Sequence, residues 1–152
     1  MQSNELMKKI SYETFADIIA ISPRKVRESL FSHYGVKAKS KVLTSMKEKK
    51  NEKVSRLFSI LREVQSPKEQ EFIKELFRNW LLHQRPLLKS TLDYLGVEND
   101  NGLIQVETDF FKELSEKQVH KLMEHLKPKY PQDHICIYLS FMEVPFLDTH
   151  FK

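Results

Sequence analysis

HICIYLSFMEV, residues 134–144, is the stretch on which the fold class turns. Its β-branched and aromatic residues suit a strand as well as a buried helix. A strand must pair, and no other segment alternates apolar and polar residues convincingly enough to partner it. The stretch therefore reads as a buried helix that follows the break PKYPQ (128–132), is capped by Asp133 and is ended by Pro145. On that reading the chain is all-α, a multi-helix bundle of about seven or eight short helices.

The segments upstream carry helical punctuation. Ser115 and Gln118 have capping-box spacing ahead of EKQVHKLMEHLK (116–127), which turns Val119, Leu122, Met123 and Leu126 inward. ETDFFKEL (107–114) reads as a short helical turn, and VENDNGLIQV (97–106) as the clearest loop, with Asn99, Asp100, Asn101 and Gly102 all turn formers. RPLLKSTLDYLG (85–96) starts at the Arg85-Pro86 break, stops at Gly96 and aligns Leu88, Leu92 and Leu95. Ser66, Pro67 and Glu69 open PKEQEFIKELFRNWLLHQ (67–84), whose stripe from Phe72 to Leu81 includes Trp80 and belongs in the core. VSRLFSILREV (54–64) is amphipathic, while KEKKNEK (47–53) fits a loop or an exposed helix start. Nearer the start, Ser11 is placed to cap YETFADIIA (12–20), and Ser22 to cap a helix with Pro23 in first position that runs toward a stop at Gly35.

Length and composition bound the protein class. The 152 residues, 40% apolar and 30% charged, with three glycines, describe one folded domain rather than a disordered chain. No apolar run nears the ~20 residues needed to span a bilayer. The start MQSNELMKKI has charges where a signal peptide would be apolar, so a cytoplasmic protein with no membrane partner is expected. The single cysteine, Cys136, excludes an intramolecular disulfide and reads as a small buried hydrophobe. The net charge of +4 is unevenly spread: residues 1–50 hold eleven Lys/Arg against five acids, and residues 51–152 hold 14 against 16. A polyanion-binding end is one consequence of such asymmetry, because Lys and Arg near phosphates release condensed counterions; a lysine-rich solvated face is the plainer one. The same shift is the only boundary the sequence offers. It leaves either one helical domain, 1–152, or a basic subdomain, 1–50, followed by a helical bundle, 51–152.

Within the basic third, FADIIAISPRKVRESL (15–30) resembles the helix-turn-helix of bacterial DNA-binding regulators, a likeness confined to residues 11–34. Ala16 matches the small residue under the crossing helix, Ile19 and Ile21 the trihelical core, and Val26 and Leu30 the underside of the second helix. Ala20 stands where the pattern has a corner glycine, at a cost of about 1 kcal/mol if the left-handed turn is kept. The resemblance implies a DNA-binding function, with Ser22, Arg24, Lys25 and Arg27 at the start and on the outer face of the recognition helix. Arg24 and Lys25 would meet bases or phosphates and Arg27 the backbone. Glu28 opposes DNA on the same helix. The alternative is two packed helices in a protein–protein interaction module that neither binds nucleic acid nor catalyses a reaction.

Other chemistry is thinly represented. His120 and Glu124 share a helix face at ligand spacing, but His125 points about 100° away from Glu124 and His33, His83, His134 and His150 are scattered, so no metal site is expected. No phosphate-cradling glycine loop or Gly-x-Ser-x-Gly occurs; Asp93, Glu107 and Asp109 are placed in caps and on the surface, and neither catalytic residues nor a cofactor are assigned. The tail after Pro145 carries Phe146, Leu147 and Phe151, which would dock on a partner, on a second copy or back on the core.

Overall fold

A computed structural model describes residues 3–34, 46–64, 66–104 and 109–151. Eight α-helices run along the described chain: α1 (Ser3–Lys9), α2 (Tyr12–Ile21), α3 (Arg24–His33), α4 (Met46–Leu61), α5 (Pro67–Leu81), α6 (Arg85–Leu95), α7 (Glu116–Leu126) and α8 (Gln132–Phe141). Short 3-10 turns add Phe110–Glu113 and Leu147–Thr149. The described residues contain no strand; the one isolated bridge, Asp100 to Leu103, closes a turn. The all-α reading therefore holds. No helix among the described residues is long and apolar enough to cross a membrane.

The chain divides into two compact units, Gln2–Leu76 and Phe77–Lys152, so the first unit runs past residue 50, where the charge shift lies. Packing explains the difference, since α1 and α2 both lie against α4. In the first unit Phe15 is fully buried and stacks on Phe58 at 4.9 Å between centroids with 16° between planes. Leu6, Met7, Ile18, Leu57 and Leu61 are buried with it. The polar segment 47–53 lies within α4.

Ser11 caps α2 as its sequence position suggests, its Oγ accepting from the Thr14 N–H at 3.1 Å. Ser22 does not cap α3. Its hydroxyl turns back to donate to the Ile18 carbonyl at 2.8 Å, the same oxygen that accepts from the Ser22 N–H at 3.1 Å, and Pro23 occupies the cap position. A residue preceding proline is driven out of the helical region. Ser22 (φ −59°, ψ 144°) and Pro23 (φ −56°, ψ 146°) accordingly form a two-residue extended link between α2 and α3. Ala20 is still inside α2, so the left-handed corner and its strain do not arise. The stop at Gly35 lies outside the described residues.

In the second unit α6 packs on α7, and the 3-10 turn Leu147–Thr149 packs on α8. The Ser115–Gln118 capping box forms in full, and all four inward residues of α7 are buried. Gly96 stops α6 in the left-handed region at φ 72°, with the Val97 N–H reaching back to the Leu92 carbonyl. Leu95 is only half-buried, and Leu87 fills the core beside Leu88 and Leu92 instead.

α8 is the helix read from HICIYLSFMEV, and Ile135 through Ser140 are buried without interruption. A helix covered on every side has no amphipathic stripe, which is why its sequence looks strand-like. Two local expectations are corrected. Asp133 sits in the first turn while the Pro131 carbonyl accepts the first helical bond from Ile135. The helix ends at Phe141, before Pro145, because Glu143 turns left-handed at φ 59°. The Glu143 and Val144 N–H groups then bond to the Ser140 and Leu139 carbonyls.

Candidate nucleic-acid interface

Much of α3 faces solvent. Leu30 is its only fully buried residue, while Val26, Arg27 and Phe31 are half-buried and Arg24, Lys25, Glu28, Ser29, Ser32 and His33 face solvent. One leucine anchor and a short apolar flank hold the helix, and the remaining circumference is open. Its start is held by the Pro23 carbonyl, which accepts from the Arg27 N–H at 3.0 Å.

The four residues singled out from the sequence fare differently. Arg24 is the most open, with 84% of its side chain exposed, and its Nε donates to Glu28 Oε1 at 2.8 Å across one helical turn. Lys25 is exposed and has no ion pair among the described residues. Arg27 is half-buried: its Nε is enclosed and finds no acceptor among the described residues, so the guanidinium keeps an unmet demand for a hydrogen bond. Ser22 is 3% exposed and its hydroxyl is committed to Ile18, the same inward turn that takes it out of the cap role.

Elsewhere, His120, His125 and His150 have local partners. His120 Nε2 lies 3.0 Å from Glu124 Oε1, and His125 stacks on Tyr94 at 4.3 Å with its Nε2 3.4 Å from Ser90 Oγ. Burial first, then Lys129, holds the His125 imidazole below its ordinary pKa. His150 lies near His120, 5.8 Å between rings, and is held low by burial, Lys127 and His120 in turn. No group of three metal-capable side chains occurs among the described residues. Asp93 is tied to Lys89 at 2.7 Å and Asn99 at 2.9 Å, pairings that lower its pKa. Asn99 in turn accepts from the Gly102 N–H, so this carboxylate latches the 97–103 loop to α6. Glu107 lies outside the described residues.

The C-terminal tail is also redistributed. Leu147 and Phe151 are buried at 5% and 7% exposure and are unavailable to a partner, because the 3-10 turn that begins at Leu147 folds them inward; Phe146 alone stays out, 48% exposed. Sequence reasoning missed one constellation altogether. His33, Tyr34, Glu69 and Phe72 meet around a cleft although α3 and α5 are far apart in the chain, and nothing in the local pattern of either helix announces it. Comparison with family models, with curated proteins and with solved structures finds no match for this chain.

Proposed function

We propose that the unit Gln2–Leu76 is the DNA-binding part of a small regulator, contacting duplex DNA through Arg24, Lys25 and Arg27 on α3. The observation that carries this reading is the openness of α3: two cations stand in solvent at the start of a helix with one buried side chain. The +6 balance of residues 1–50 supports it by supplying a field that attracts phosphates. The extended Ser22–Pro23 link differs from the glycine corner of the helix-turn-helix pattern, so the proposal rests on the phosphate term rather than on base reading.

Titration into a random duplex of about 20 base pairs, followed by anisotropy, tests the reading. Three phosphate contacts predict an affinity loss of about 20-fold between about 50 and 150 mM salt. Removing the charges in R24Q/K25Q/R27Q abolishes both the binding and its salt slope. No binding by the parent chain at about 50 mM salt, where nonspecific contacts are strongest, overturns it.

A second reading, a helical protein-interaction module, draws on Phe146, an aromatic side chain held in solvent by a left-handed backbone at φ 66°. Self-association through it would give concentration-dependent sedimentation that F146S removes.

A further inference from the structure

The first unit contains a cleft of about 390 Å³ lined by Ser29, His33 and Tyr34 from α3 and its end, and by Ser66, Lys68, Glu69 and Phe72 at the start of α5. This volume is in the range of pockets that take small organic ligands. Two half-buried aromatic rings, Tyr34 and Phe72, contribute its apolar walls, and the half-buried Glu69 brings a carboxylate. Glu69 stands beside the Tyr34 hydroxyl; burial first, then the Glu69 charge and its pull on the hydroxyl proton, push the phenol up to about 12. His33 packs edge-on against Tyr34 at 4.7 Å and brings its Nε2 to 3.8 Å from Glu69 Oε1.

A carboxylate has about four acceptor sites, so with Tyr34 beside it Glu69 is still able to take a further charged donor. An ammonium placed there gains a charge-assisted hydrogen bond, and the Tyr34 and Phe72 rings of the lining suit an apolar body beside it. An anionic ligand is opposed by Glu69, and Lys68, the unequivocal cation of the lining, is exposed to water.

We propose that the cleft between the end of α3 and the start of α5 binds a small primary or secondary ammonium carried on an apolar, ring-sized body, with Glu69 as its counter-ion. The site does not depend on DNA binding and is tested without it. The probes are 2-phenylethylammonium, the neutral 2-phenylethanol and the anionic 3-phenylpropionate, each titrated into the full chain while the ring resonances of Tyr34 and Phe72 are followed by NMR. The amine gives saturable shifts at both rings, the alcohol binds about ten-fold or more weakly, and the carboxylate is excluded. E69Q, shown to be folded by circular dichroism, lowers the amine affinity to that of the alcohol. Equal binding of amine and alcohol to the parent chain, an amine affinity unchanged in E69Q, or no saturable shift up to the solubility limit of the amine overturns the proposal. The comparison of the three probes needs no variant and decides the matter even if E69Q fails to fold.

Discussion

Arg24 and Glu28 are locked to each other across one turn of α3, Nε to Oε1 at 2.8 Å, with both side chains largely in solvent. An exposed pair of this kind contributes about 0–1 kcal/mol, so Arg24 can exchange Glu28 for a phosphate at little cost. Glu28→Gln is expected to leave the denaturant midpoint nearly unchanged while strengthening duplex binding several-fold at low salt. A parallel urea melt and anisotropy titration check both halves; weaker DNA binding in the variant would contradict the role given to α3.

The stack of Phe15 on Phe58 ties α2 to α4. Phe15 is fully enclosed, and Phe15→Ala is expected to cost about 3–5 kcal/mol. Phe58→Ala costs less because its ring is half-buried, even though it also loses the Arg62 guanidinium 5.2 Å from the ring centroid. A double-mutant cycle by chemical denaturation should return a coupling of about 0.5–1.5 kcal/mol.

Ser115 and Ser22 look alike as serines ahead of helices, but only Ser115 caps one. Ser115→Ala removes a reciprocal capping box and is expected to lower stability by about 1 kcal/mol. Ser22→Ala loses instead the bond to the Ile18 carbonyl. The two are separated by amide exchange: protection falls in the first turn of α7 for S115A and in the last turn of α2 for S22A, with the start of α3 unaffected.

Tyr34 is raised from 10.0 to about 12, chiefly by burial, and Tyr138 is pushed up by burial as well. A folded pKa above the unfolded one means that the native state holds its proton more tightly. Stability from this source is complete below about pH 10 and is lost as the pH climbs toward 12. Urea midpoints from pH 8 upward should fall beyond about pH 10, and Tyr34→Phe should flatten part of that fall; a midpoint that rises over the same range would reverse the assigned sign.

Helix existence was readable wherever a stripe and a cap coincided. α7 shows this best, with its capping box and four inward residues all in the local sequence. The ends of α3 and α8 were less readable, because each depends on a choice between backbone partners of similar worth: the Ser22 hydroxyl with Ile18 rather than α3, and Glu143 in a left-handed stop rather than Pro145. The basic residues of α3 were legible as a charge pattern, whereas their exposure was not, since Arg24, Lys25 and Arg27 carry the same formal charge in sequence and differ only in what surrounds them.

By itself the sequence determined the all-α class, the approximate spans of the helices and the concentration of positive charge in the first fifty residues, because periodicity, caps and charge are local properties. Only the tertiary structure decided that Ser22, Leu147 and Phe151 turn inward and that Arg24, Lys25 and Phe146 stay out. It alone brought Tyr34 to Glu69. Burial and juxtaposition depend on which faces of distant segments meet, and that is a property of packing rather than of any stretch read alone.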